Sequence, residues 1–434
     1  MKINSIIMMI TGVCLASCSS DEVISLETGD SFSKEGIGYV VIDDSNKKMT
    51  VEAVSCGGGD IVIPTTVEYG GKNYQVETVR LQKADQPVTS LTISEGVKTV
   101  ERIAEGSGVL SIKKLVLPGS MMYVDDQFVN CLELEEVYLS EGIMRLHDDA
   151  FINARLRELH IPASLTEIGV SDTSDPGQFH LNVDRLETID VADGNSVFDC
   201  GDRKNVLIHK PSQGLMTGNS SFYIPKGVKT ICKYAFRWSE QYDKEVVIDI
   251  PEGVETIESW AFEAPRISSI TIPASVKDVL AGAFRGDGLR TLKIAEGSEQ
   301  LRFHDQYGGY ARCILSYTPN VGLNLDEVYI GRNTQLFVLN AFDPSETMKL
   351  NTLKIGPKVT SLNWTKEEWT NGWSVDTIVS TIEKPDWVYP RFPENVFKNA
   401  ELIVPMRTLQ FYRSAEGWKE FSAITGVDPI LIMF

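Results

Sequence analysis

Residues 247–284 carry one short pattern twice: Ile248, Ile250, Pro251, Gly253, Val254, Ile257, Ala261 and Phe262 recur 22 residues later as Ile270, Ile272, Pro273, Ser275, Val276, Val279, Ala283 and Phe284. A unit this short cannot bury its own apolar face, so a fixed period in the twenties constrains the chain to stack its units into a solenoid. That register overrides the two or three globular domains a chain of 434 residues would otherwise suggest, and one long array is expected.

The remaining units fall into the same register on the pattern L-x-x-L-x-L. Its last aliphatic position lies at Ile93, Leu117, Leu139, Ile161, Val191, Ile224, Ile250, Ile272, Ile294, Ile330 and Ile355, with a weakened unit over residues 375–380. Alternation within L-x-L puts the aliphatic residues on one face of a short strand and the intervening residue on the other, so the stacked strands predict a parallel sheet. A proline or small residue follows each strand, then a Gly or Ser turn, V-x-x-I and Ala-Phe. Proline removes a backbone donor and ends the strand where the chain turns. V-x-x-I predicts a second short strand or extended run opposite, and the phenylalanine an interior plug. The segment is too short for an amphipathic helix.

These residues resemble the BspA-type leucine-rich repeats, a β-rich branch of the leucine-rich repeat family, over roughly residues 36–425. The fold class implied is a repeat solenoid of short parallel strands with an N-terminal β-hairpin cap and a C-terminal cap. Tyr39, Val40, Val41 and Ile42, then Met49, Thr50, Val51 and Val54 across a turn at residues 43–46, predict the hairpin. A Val404-Pro405 strand followed by Tyr412, Trp418 and Phe421 resembles the family's closing segment. The period breaks after Val191 and after Ile294, where each insertion looks like a hairpin that modifies curvature or adds contact surface. The resulting map is 1–17 signal peptide, 18–35 flexible tether, 36–85 N-terminal β cap with an irregular first repeat, 86–384 repeat array with hairpin islands near 195–221 and 297–324, and 385–434 last repeat and C-terminal cap.

Lys2, the apolar run Ile6, Ile7, Met8, Met9 and Ile10, and Leu15, Ala16, Ser17 and Cys18 resemble a bacterial lipoprotein signal. The resemblance implies lipidation at Cys18, and several acyl chains together make a stable membrane anchor. Asp21 and Glu22 behind it resemble the signal that moves some lipoproteins to the outer face of the outer membrane; a generic solvated tether is the other reading. The expected location is an outer membrane lipoprotein exposed at the cell surface. Cys56, Cys131, Cys200, Cys232 and Cys313 are odd in number and widely spread, which excludes a disulfide scaffold and a C-x-x-C zinc site and makes Cys131 and Cys232 small core residues.

A net charge of −19 repels phosphate backbones, so nucleic acid is not an expected partner. The histidines His147, His160, His180, His209 and His304 have no metal-ligand spacing, and neither a nucleophile elbow nor a phosphate loop is present in the sequence. No enzyme activity, metal or cofactor is expected. Binding suits the scaffold better, because stacked strands present a long rigid surface. The free position between the last two aliphatic residues of each unit supplies the candidates Tyr138, His160, Tyr223, Asp249, Lys293, Tyr329 and Lys354, among neighbours such as Thr92, Val116, Asp190 and Thr271. They are recognition residues or ordinary exposed strand residues chosen for β-propensity. Trp364, Trp369, Trp373 and Trp387 are read first as packing beneath the C-terminal cap, and second as exposed rings for a sugar or protein. The leading expectation is a surface protein that binds macromolecules, a host or bacterial surface protein. The alternative is a glycan-binding accessory of a polysaccharide-uptake system.

Overall fold

The computed structural model describes residues 26–45, 48–102, 111–147, 150–169, 186–219, 221–236, 245–262, 267–284, 288–304, 323–335, 348–362 and 374–432. Cys18 and the signal segment, His180, Cys313, Trp364, Trp369 and Trp373 lie outside the described residues.

The L-x-L segments form parallel rungs on one face of a β-solenoid. Six of them, Gly59–Ile63, Val88–Ile93, Lys114–Leu117, Glu136–Leu139, Glu158–Ile161 and Thr188–Val191, make one sheet. Eight more, from Val246–Asp249 to Ala423–Val427, make a second. The aliphatic register holds residue by residue: Leu117 pairs with Leu139, Ile161 with Val191, Ile272 with Ile294, and Ile330 with Ile355. In the weakened unit Ser380 takes the aliphatic place beside Ile355, and its buried hydroxyl meets the Tyr412 hydroxyl at 2.6 Å. V-x-x-I forms the opposite rungs, among them Tyr123–Val124, Arg145–Leu146, Glu167–Ile168, Thr230–Ile231, Thr256–Ile257 and Asp278–Leu280.

The phenylalanines fill the interior as a column. Phe222, Phe236, Phe262 and Phe284 stack in sequence with ring centroids 5.4, 5.2 and 5.3 Å apart. That is close to the roughly 4.8 Å rung spacing, so the rings of Phe236, Phe262 and Phe284 each lie on the one in the next coil, and Phe222 from the start of the Phe236 unit ends the stack.

The corners follow an alternating rule. In one coil the turn reads Glu-Gly, as at Glu95-Gly96, Glu141-Gly142 and Glu252-Gly253, with the glycine at φ between 101° and 110°. In the next it reads Pro-x-Ser, as at Ser120, Ser164 and Ser275. The Glu252 carboxylate accepts from the Ala274 and Ser275 amides at 3.0 and 3.1 Å, and the Ser275 hydroxyl accepts from the Gly253 amide at 2.9 Å. The same exchange joins Glu95 to Gly119 and Ser120, and Glu141 to Ala163 and Ser164.

At the N-terminus Ile37–Ser45 and Lys48–Cys56 pair antiparallel, with Ser31–Lys34 outside them, and Lys48–Cys56 joins Lys72–Ala84 in parallel. At the C-terminus residues 394–399 form a short helix rather than part of a strand, and an unforeseen last rung, Ala423–Val427, follows the 409–414 helix. Trp418 is fully buried there, its Nε1 donating to the Val388 carbonyl at 2.6 Å. Cys131 is buried and Cys232 half-buried, both as free thiols that burial pushes up to about 12.

The strands of the island after Val191 are largely buried, and its turns reach the surface. It contributes Phe198–Asp199, Val206–His209 and Gly214–Gly218, an antiparallel hairpin whose last strand then pairs in parallel with Thr230–Ile231. Val206, Leu207, Leu215 and Met216 are all buried, so both of its faces are covered. Ile224 and its neighbours form no strand, and the first-face sheet is interrupted between Val191 and Val246. Most of the second island lies outside the described residues.

Phe262 has a stacked ring on either side. Phe262→Ala is expected to cost about 3–5 kcal/mol, the range for deleting a buried aromatic ring, measured as the change in urea unfolding free energy.

Candidate functional site

Because side chains alternate along a strand, the residue between two buried aliphatics must face outward. On the first sheet this rule brings Tyr138 and His160 together: they are paired across adjacent rungs, with ring centroids 4.0 Å apart and planes 9° from parallel. The next outward position is Asp190. His160 Nδ1 lies 3.5 Å from Asp190 and its Nε2 3.7 Å from Glu158, and Asp190 accepts a 2.5 Å hydrogen bond from Lys204 Nζ. That bond chiefly holds the Asp190 carboxyl below its ordinary range, against the opposing effect of burial; Lys204 and His160 charge add to it. On the other side, Lys114 Nζ stands 4.4 Å from the Tyr138 ring centroid while pairing with Glu136 at 3.1 Å. The strip therefore runs Lys114, Tyr138, His160, Asp190 and Lys204. Lys114 was legible from the sequence, two residues before Val116 on the same strand face; Lys204 was not, since it comes from the hairpin.

The other candidates do not join this strip. Tyr223 sits off any strand, its hydroxyl donating to Asp202 at 3.3 Å and its ring covered by the Arg203 guanidinium at 3.7 Å. Asp249, Lys293, Tyr329 and Lys354 share the outward row of the second sheet. Asp249 and Lys293 are exposed. Lys354 pairs with Glu327 at 2.8 Å.

Tyr329 differs from expectation: it is only 4% exposed. Its hydroxyl donates to Glu296 at 3.1 Å, and Gly356 supplies the space, since a Cβ there would stand 2.8 Å from the hydroxyl. Burial first, and then Glu296, push its ionisation upward. Trp387 departs the other way. It is 71% exposed instead of packed under the cap, with Lys384 Nζ 4.0 Å from its ring centroid.

Among the described residues no group of three His, Cys, Asp or Glu is placed to hold a metal ion, and no helix is long and apolar enough to cross a membrane.

Parallel rungs with a buried aliphatic register and a free outward position define a leucine-rich-repeat solenoid. Residues 83–172 and 216–304 match the model of the BspA type leucine rich repeat region in six copies. No curated protein matches the sequence. Among solved structures, the pneumococcal vaccine antigen PcpA is 19% identical, with 93% of this chain and 98% of that one covered and a TM-score of 0.44. A leucine rich cell surface protein from Faecalibacterium prausnitzii is 18% identical over 77% of this chain and 91% of that one, with a TM-score of 0.34. A leucine-rich repeat protein from Bacteroides ovatus is 14% identical over 92% of this chain and 100% of that one, with a TM-score of 0.33.

A carboxylate whose folded-state ionisation is depressed contributes stability above its unfolded value that is lost as pH falls through the folded one. The stability difference between the wild type and Asp190→Asn should therefore be constant well above an ordinary carboxylate value of about 3.9 and shrink progressively as pH falls below it through the depressed folded-state value, as read from urea midpoints at a series of pH values. The pair is partly exposed, so the difference will be a fraction of a kcal/mol to about 1 kcal/mol.

Proposed function

We propose that this chain is a non-enzymatic, lipid-anchored surface protein that binds another protein through the outward strip of its first sheet. The observation that carries the reading is the Tyr138–His160 stack, set in a row with Lys114 and Asp190 on parallel rungs and with Lys204 from the adjoining turn. Rigid aromatic and hydrogen-bonding groups held on regular strands lose little conformational freedom on binding. Adhesion to a host or bacterial surface protein fits such a strip, and the description of the F. prausnitzii chain as a cell surface protein agrees with that location. Lipidation at Cys18 supplies the anchor to the outer membrane.

The aromatic faces favour protein over sugar on this strip. Tyr138 is stacked on His160 and approached by Lys114, and Tyr223 is covered by Arg203, so neither offers an open ring to a pyranose. Among the described residues Trp387 best sustains the glycan alternative, because its ring is largely exposed even with Lys384 over one face.

The combined Tyr138→Ala and His160→Ala variant, without residues 1–22, should bind immobilised matrix or bacterial surface proteins at least tenfold more weakly while melting within about 2 °C of the wild type. Unchanged binding would remove this strip from consideration, and glycan-array signal lost only in Trp387→Ala would favour the alternative. Separately, Cys18→Ser in the full chain should abolish incorporation of labelled palmitate and release the protein from the membrane fraction.

A further inference from the structure

The hairpin of residues 198–218 is a septum. Buried side chains C-terminal to it, with Val206 and Leu215 from the hairpin itself, form one continuous apolar cluster that runs to Phe421. Those N-terminal to it, with Leu207 and Met216 from the hairpin, form a separate cluster beginning at Leu26. Val206 and Leu207 are neighbours in sequence yet serve different cores, because successive residues of a strand point to opposite faces. The interior of the solenoid is thus divided where a regular array would be continuous.

The two sides of the septum are sealed differently. Toward the C-terminal core its backbone is drawn close by glycine: a Cβ on Gly218 would stand 2.3 Å from the Phe236 ring, and one on Gly214 would stand 2.9 Å from Cys232 Sγ. Backbone bonds lock that side further, with Gly218 donating to Ala235 and Cys232 donating to Leu215, each at 2.9 Å.

Toward the N-terminal core the first-face sheet stops at Val191 and resumes only at Val246. Among the described residues the crossing contacts are a few scattered bonds and no sheet ladder: backbone bonds from Ile189 to Lys204 at 2.7 Å and from Lys210 to Val197 at 2.8 Å, the Asp190–Lys204 pair, a 2.6 Å bond from Lys210 Nζ to the Asn195 carbonyl and a 3.5 Å bond from Asn219 Nδ2 to the Glu187 carbonyl. In the hairpin, Asn205 Oδ1 and Thr217 Oγ1 are buried without a hydrogen-bond partner. Leaving such atoms unsatisfied weakens a junction. The two blocks that match the repeat model, 83–172 and 216–304, are separated by the stretch that holds the septum's first two strands.

We propose that the protein is two independently stable units joined at the N-terminal face of this septum, and that the seam is where cooperativity along the array is broken. In a solenoid, stability is a sum of coil and interface contributions, so one weak interface uncouples the coils on either side. Ligand stabilisation of the Tyr138–His160 rungs is then confined to the N-terminal unit.

The chain carries its own probe. All seven tryptophans, from Trp238 to Trp418, follow the septum, so tryptophan fluorescence reports on the C-terminal unit alone. Hydrogen exchange by mass spectrometry across a urea series reports on both. Leu159→Ala, in the N-terminal core, should lower the midpoint at which residues 88–191 lose protection by about 1 M and leave the fluorescence midpoint unchanged. Gly218→Ala should lower the fluorescence midpoint and leave the protection of residues 88–191 in place. A Leu159→Ala chain with no protection in the first unit, but a fluorescence transition at the wild-type midpoint, supports the division equally. Either variant shifting both probes together would overturn it.

Discussion

The whole array depends on how its corners dispose of backbone amides. A coil of some 22 residues turns sharply, and the amides at a corner point along the solenoid axis, where no strand of their own coil can receive them. They are met by the neighbouring coil: the carboxylates of Glu95, Glu141 and Glu252 take two amides each from the following turn, and the hydroxyls of Ser120, Ser164 and Ser275 take one back from Gly96, Gly142 and Gly253. The exchange requires glycine, because the donor turn lies in the left-handed region that other residues avoid. It is charge-assisted, which makes it stronger than a neutral pair. It also gives the array a hidden period of two coils, Glu-Gly alternating with Pro-x-Ser, on top of the single-coil aliphatic register.

Where that alternation lapses, the corners are satisfied by other means. Asn195 donates to the carbonyls of Pro162 and Leu165 at 2.8 and 2.9 Å and accepts from the amides of Val197 and Phe198. Arg332, buried to 1% exposure, sends its guanidinium to Pro273, Ala274 and Val276. Burial lowers its ionisation, while Glu252 and Glu299 oppose that shift. Both residues stand beside an island. A fully buried cation held by carbonyls is a costly substitute for a Ser and a Glu, so these sites mark where an insertion displaced the regular device.

The aliphatic register was legible because strand alternation and the coil period are local facts, written at the units from Ile93 to Ile355, although Ile224 carries the pattern without forming a strand. So were the opposing V-x-x-I rungs and the phenylalanine column. The corner exchange was equally visible, in Glu-Gly and Pro-x-Ser recurring by turns, but it emerges only when adjacent units are compared in pairs. Besides Lys204 and the last rung Ala423–Val427, three features could not be read. The septum looks like a hairpin insertion from sequence, and only tertiary packing decides that both its faces are covered. Tyr329 occupies an outward position, yet Gly356 in the next coil opens a recess for its hydroxyl beside Glu296, a relation between distant residues. Trp387 lies among tryptophans, but its neighbours Pro385 and Val388 take the interior and leave the indole outside.

The same logic bears on recognition. Outward residues in a regular array have no duty to the core, so their contacts are with each other along the row. In the first strip most of these contacts are made within the row: Lys114 to Glu136 and Tyr138, Tyr138 to His160, His160 to Asp190, Asp190 to Lys204, while His160 Nε2 has no hydrogen-bond partner. A partner must therefore mostly exchange interactions, with His160 Nε2 as the one unpaired buried polar atom among the described residues of the strip. Exposed ion pairs are held by a kcal/mol or less, so the exchange costs little. What the partner cannot exchange is the spacing, because Lys114, Tyr138 and His160 are tied to rungs hydrogen-bonded to two others and Asp190 to the edge rung beside them. Selectivity on such a surface comes from matching the period of the rungs, and the interruption between Val191 and Val246 limits the run over which one ligand can keep that match.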